Sequence, residues 1–99
     1  MRTVLVTIAY EVEELKREAY LEHAHQMREH AREALGLDYE IYEEADHRGS
    51  FVEVFTCASA DDYESLDERQ DDTFRELVAH LERFTDLRAV RYRALLPLL

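Results

Sequence analysis

Two stretches of this chain, residues 2–12 (RTVLVTIAYEV) and 50–58 (SFVEVFTCA), alternate like β-strands yet leave neither face polar. In the first, Val4, Val6, Ile8 and Tyr10 share one face, and Thr3, Leu5, Thr7 and Ala9 share the other. In the second, Phe51, Glu53, Phe55 and Cys57 lie opposite Val52, Val54, Thr56 and Ala58. A sheet with water on one side carries polar residues on that side, so strands of this kind must be buried on both faces. Any fold for the chain has to supply two covers.

The segments around these strands supply one of them. Residues 13–35 read as a helix, with Tyr20, Ala24, Met27, Ala31 and Ala34 on one stripe and Leu35 at its edge. Gly36 stands where a left-handed residue would end that helix. Residues 37–45 alternate again, and the turn Asp46-His47-Arg48-Gly49 returns the chain into 50–58, so 37–58 is a hairpin. Ser59 is the expected N-cap of a second helix, with Asp62 as its capping-box partner. The stripe Tyr63, Leu66, Phe74, Leu77, Leu81 and Phe84 follows, interrupted by DERQDD. A break near 68–72 is expected there, with Asp71 or Asp72 recapping the second segment. Residues 87–96 make the last strand before Pro97.

The order β-α-β-β-α-β predicts a single α+β domain over residues 1–99, a ferredoxin-like antiparallel sheet with both helices on one face. The second face then needs a cover from outside the chain, and a second copy is the simplest one. A homodimer is therefore expected.

Charge narrows the partners. Twelve basic against 23 acidic residues give a net charge of −11, which disfavours nucleic acid and anionic membrane surfaces. No apolar run is long enough to span a bilayer and the N-terminus lacks a signal-peptide pattern, so a cytoplasmic protein is expected. Lys16 is the only lysine. Salt adaptation and a codon bias toward arginine both produce such a composition. The lone Cys57 excludes an intrachain disulfide and reads as a small hydrophobe within its strand.

Leu-Asp-Tyr-Glu-Ile-Tyr-Glu at 37–43 and Phe-Val-Glu-Val-Phe leading to Ser-Ala-Asp-Asp-Tyr at 51–63, set in this order of elements, resemble the dimeric α/β-barrel superfamily. Within it the sequence is most similar to the antibiotic biosynthesis monooxygenase-like group. The resemblance implies a homodimer whose sheets face each other, with a pocket between sheet and helices in each subunit. It also implies binding of a small aromatic or apolar molecule and, among the activities of such proteins, cofactor-independent monooxygenation of quinol-like substrates. Leu66 stands where many members carry a histidine, so no residue matches the catalytic pattern of the oxygenases; no tryptophan is present, which argues against the haem-degrading branch. The alternative is a non-catalytic dimerisation or small-ligand-binding module.

Candidate site residues come from the histidines and tyrosines. Tyr20 and His23 lie on adjacent parts of one helix and could together hold a phenol oxygen, which makes them the catalytic candidates. His30, one heptad from His23, and Tyr42 are the candidates for contact with a ligand. The competing readings are boundary or solvated histidines and tyrosines that fill a core or dimer rim. Three convergent ligands and HExxH spacing are both missing, so no metal and no cofactor is expected. Glu53, Arg91 and Arg93 interrupt apolar strands and are expected to form a buried ion pair that fixes dimer register. The acidic run from Asp61 to Asp72 lacks an EF-hand loop and reads as a solvated capping face.

Overall fold

The computed structural model describes residues 3–98. Its strands are β1 (Val4–Glu11), β2 (Tyr39–Glu43), β3 (Ser50–Cys57) and β4 (Arg91–Leu95), and its helices are α1 (Arg17–Glu29), α2 (Ala60–Glu64) and α3 (Asp72–Ala79). The strands form one antiparallel sheet in the order β2-β3-β1-β4. The helices pack on one face of it, giving the ferredoxin-like α+β fold.

Register decides which residues meet the helices. Ile8 pairs with Glu53 on one side and Tyr92 on the other, and Val6 pairs with Phe55 and Ala94. Tyr39 pairs with Phe55 and Ile41 with Glu53. Because alternate residues share a face, Val4, Tyr10, Tyr39, Phe51, Glu53, Phe55 and Cys57 all turn toward the helices, and all are buried. The opposite face carries Leu5, Thr7, Ala9, Val52, Val54 and Thr56, each only partly buried, with Arg91, Arg93 and Leu95 exposed beside them. A pairing of Glu53 with Arg91 and Arg93 across the sheet is therefore overturned, since Tyr92 shares the face of Glu53 and the arginines point the other way.

The first helix keeps its expected stripe as far as Ala31. Tyr20, His23, Ala24, Met27 and Ala31 are buried. A 3-10 turn (Glu14–Lys16) precedes it, and a wider π-type turn follows over His30–Ala34, where the Leu35 N–H reaches the His30 carbonyl at 3.1 Å. The wider turn rotates the stripe, so Ala34 is exposed while Leu37 returns to the core. Gly36 takes φ 64° there. Gly49 takes φ 90° in the hairpin turn, and a Cβ on it would sit 2.9 Å from the Val12 carbonyl oxygen, so no larger residue fits.

The second helical region is broken over residues 65–71, starting three residues earlier than the expected 68–72. The Ser59 Oγ accepts from the Asp62 N–H at 3.1 Å, and the Asp71 carboxylate accepts from the Phe74 N–H at 2.9 Å, so each segment carries its own cap. Tyr63 is 42% exposed rather than part of the core, because α2 ends at Glu64 and a turn separates it from Leu66. The last strand is shorter than expected: a 3-10 turn occupies Leu87–Ala89.

Candidate functional site

A cavity of about 290 Å³ opens between the sheet and α3. Val6, Ile8 and Phe55 form its floor, and Phe74, Val78 and Leu81 form the wall opposite. Leu66, Asp67 and Gln70, from the break between α2 and α3, edge it, with Leu87, Val90 and Tyr92 on the β4 side. Tyr92 is 69% exposed, so the cavity gives out at the edge strand.

One carboxyl group lies on the floor. Glu53 is 1% exposed, and its Oε1 accepts a hydrogen bond from the Tyr39 hydroxyl at 2.7 Å. Its Oε2 has no hydrogen-bond partner, the one buried side-chain polar atom among the described residues of which this is true. Removal from water pushes the Glu53 carboxyl above the usual carboxylate range, and the nearby Tyr39 and Tyr10 hydroxyls offset this only in part. The Tyr10 hydroxyl lies near this carboxyl without closing a hydrogen bond to Oε2, and shares a 2.8 Å bond with the Tyr20 hydroxyl. Burial raises all three phenols above their ordinary values, and the carboxylate charge of Glu53 raises them further. The result is a dry cluster in which Tyr20, Tyr10, Glu53 and Tyr39 follow one another from α1 across the sheet.

Tyr20, one catalytic candidate from the sequence, thus sits fully buried at the far end of this cluster, packed against Phe51 with ring centroids 4.4 Å apart. His23 does not join it. Its Nε2–H donates to the Leu77 carbonyl at 2.7 Å, which ties α1 to α3, and burial lowers its pKa. His30 donates from Nε2 to the Asp71 carboxylate at 2.9 Å, linking the π-type turn to the cap of α3. Tyr42 is 57% exposed and shares with Tyr20 a shallow depression over α1 and β2, apart from the cavity. None of these four residues lines the cavity. Glu53 does, and its signal was present in the sequence as a lone carboxylate among apolar residues.

Other polar groups hold the frame. Arg17 and Glu43 form a two-pronged ion pair, with the second contact at 2.7 Å, and Arg17 together with the Gly49 N–H lowers the Glu43 pKa to about 2. Cys57 is buried, and burial pushes its thiol up, which suits a packing role. Among the described residues no three His, Cys, Asp or Glu side chains converge as metal ligands. No helix of the described residues is long and apolar enough to cross a membrane.

The fold is shared with solved structures. A Mycobacterium tuberculosis protein is similar over 97% of this chain and 95% of its own, with 24% identity and a TM-score of 0.74. A proposed antibiotic biosynthesis monooxygenase from Nitrosomonas europaea matches 97% of this chain and 90% of its own, at 15% identity and a TM-score of 0.75. Another such protein, from Deinococcus radiodurans, covers 93% of this chain and 89% of its own, at 12% identity and a TM-score of 0.71. The chain therefore has the ferredoxin-like fold of antibiotic biosynthesis monooxygenase-like proteins. No family model matches the sequence, and no curated protein does.

Proposed function

We propose that the protein is a homodimeric α/β barrel that binds a small aromatic or otherwise apolar molecule in the cavity above Glu53. The reaction best suited to the site is cofactor-independent monooxygenation of a quinol-like substrate. One observation carries the proposal: an apolar cavity holds a single buried carboxyl with a free oxygen. Pockets for small molecules are mostly apolar, with few polar groups to set orientation. In the oxygenation, the substrate supplies all four electrons that reduce O2. A ring C–H ortho or para to a phenolic hydroxyl becomes a carbonyl that keeps one oxygen atom, the phenol becomes the quinone carbonyl, and the ring and phenolic hydrogens leave with the other oxygen as water. Glu53, with its raised pKa, would exchange the phenolic proton. Tyr20 would act through Tyr10, as a positioning residue rather than a catalytic one. His23 would hold α3 over the cavity, while His30 and Tyr42 remain candidates for contact with a larger ligand or with a partner.

The dimer is supported by the open face of the sheet. Leu5, Val52 and Val54 are only partly covered there, and Leu95, Leu96 and Leu98 are exposed at and beyond the end of β4. A second copy laid on this face would bury Leu5, Val52, Val54 and Leu95. Light scattering at micromolar concentration is expected to give twice the chain mass; a one-chain mass at both low and molar salt would refute the dimer. Oxygen uptake with a panel of aerobic hydroquinones tests the chemistry. Tyr20→Phe and His23→Ala should lower turnover without dissociating the dimer. A protein that binds members of the panel and consumes no oxygen is the non-catalytic binding module instead.

A further inference from the structure

We infer that Glu53 acts as an uncharged carboxylic acid whose Oε2 donates a hydrogen bond to the carbonyl or phenol oxygen of an uncharged ligand of one or two rings. The inference rests on the cavity-binding reading above and specifies which molecules that cavity takes.

Three observations lead to it. First, the Tyr39 hydroxyl donates to Oε1, which therefore serves as the acceptor oxygen of the carboxyl group. A proton on Glu53 then belongs on Oε2, which has no partner within hydrogen-bond geometry, the Tyr10 hydroxyl lying near the carboxyl without closing a bond to it. A buried donor without a partner costs on the order of 1–3 kcal/mol, and a ligand that brings an acceptor oxygen recovers that loss. Second, no cation reaches the carboxyl. The ionisable groups acting on it are Tyr10 on β1, Tyr39 on β2 and Tyr20 on α1; Tyr92 on β4 and Asp67 in the turn before α3 line the same cavity, and α3 lines it with Phe74, Val78 and Ala79. A buried carboxylate lacking a cation is unfavourable, whereas the neutral acid is tolerated. Third, the cavity lining contains no Lys or Arg, and its only charged side chains are Glu53 and Asp67. A carboxylate or phosphate ligand would find no counter-charge there. A volume near 290 Å³ lies at the lower end of the range of small-molecule sites, roughly 300–1,000 Å³, which suits one or two rings rather than a polycycle.

Three bicyclic probes separate the terms: tetralin, which has rings and no oxygen; 1-tetralone, which adds a carbonyl; and 2-naphthoate, which adds a negative charge. Calorimetry on the intact protein at pH 5 is expected to show tetralone binding about tenfold more tightly than tetralin, the scale of one hydrogen bond. Naphthoate should bind more weakly than either. As the pH is raised through the elevated Glu53 value, the carboxyl loses its proton, the donor disappears and the tetralone advantage goes with it. Glu53→Gln keeps a donor NH2 and an acceptor for Tyr39, so its advantage should persist across the same range. Glu53→Leu should bind tetralin and tetralone alike. The proposal is overturned by a tetralone preference that does not change with pH in the wild-type protein, by naphthoate binding as tightly as tetralone, or by a Glu53→Gln profile that still falls like the wild type. If Glu53→Leu does not fold, the wild-type and Glu53→Gln profiles decide. Tetralin binding without a tetralone preference removes this inference alone; the absence of binding by any probe removes the cavity-binding reading as well.

Discussion

The two faces of the sheet are built from the same strands with opposite outcomes. On the covered face, Tyr10, Phe51 and Phe55 are each 3% exposed beneath the helices. On the other, Leu5, Val52 and Val54 lie between the same strands with no cover from this chain. A sheet with one side in water would place its carboxylates and arginines outward and its aliphatic residues inward. Here the arginines of β4 point outward, but a carboxylate sits inward, on the drier side. The comparison teaches that Glu53 is not a product of solubility patterning. It occupies the place where a carboxyl group is hardest to keep, beside the only buried side-chain atom lacking a partner among the described residues, which is its own.

The largest contrast between the faces should come from truncation. Phe55 packs on Tyr39 and Phe74, with ring centroids 4.7 and 6.2 Å away. Phe55→Ala removes this buried ring from the cavity floor and should cost about 3–5 kcal/mol in urea unfolding. A loss below about 1 kcal/mol would mean that this face is not the core. Its neighbour Val54 points the other way. Val54→Arg should leave the protomer's secondary structure intact by circular dichroism and halve the mass measured by light scattering. A mass unchanged from the wild-type dimer would show that association uses some other surface.

Next comes the dependence of stability on pH. The Glu53 pKa is raised on folding, so the folded state holds its proton more firmly than the unfolded chain does. That contribution is fully present below the ordinary carboxylate pKa and is lost as pH rises through the raised folded value. Glu43 runs the other way. Its pKa is lowered to about 2, so the stability from its pairing with Arg17 is present above the ordinary carboxylate pKa and fades as pH falls toward 2. Stability followed across pH should therefore decline toward pH 2 through Glu43 and, as pH rises through the raised Glu53 value, through Glu53. Glu53→Gln should flatten the alkaline side only, and Glu43→Gln the acid side only. A Glu53→Gln profile that still falls on the alkaline side would assign that decline to another group.

Much of this frame is legible from sequence because it depends on local chemistry. The period of two in 50–58, the cap at Ser59, the recap at Asp71 and the positive φ at Gly36 and Gly49 are each set by a few neighbouring residues. The π-type turn is not legible in this way, since His30–Ala34 continues a good helical pattern and the wider turn brings Leu37 back to the core. The site escaped for a related reason. Glu53 stands out in sequence, but which β4 residues share its face depends on the register of β4, which no local rule sets. A single-residue slip would have turned Arg91 and Arg93 inward, as expected from sequence, instead of Tyr92. The histidines misled in the opposite direction. Their spacing on one helix places them near one another, yet His23 and His30 both reach across to α3, where they join helices rather than line the cavity.

The smallest expected effect lies on the covered side, which makes it a useful test of how far the core extends. Ser59 holds an extended backbone (φ −151°, ψ 169°) directly after β3, and its Oγ caps a helix of only five residues. Ser59→Ala removes one acceptor from a partly exposed N–H and takes no apolar surface from the core, so the loss should be about 1 kcal/mol. Ser59→Asp should restore it, because a carboxylate at that position accepts the same bond and favours the helix N-terminus. The turn beyond α2 carries Leu66, Asp67 and Gln70 to the cavity edge, so a looser α2 should also weaken tetralone binding by a few-fold, and Ser59→Asp should reverse that too. A loss on the scale of Phe55→Ala would show that residues 59–71 unfold together with the core. No change in binding alongside the expected loss of stability would show that the cavity edge is held by Leu66 packing alone, independent of the cap.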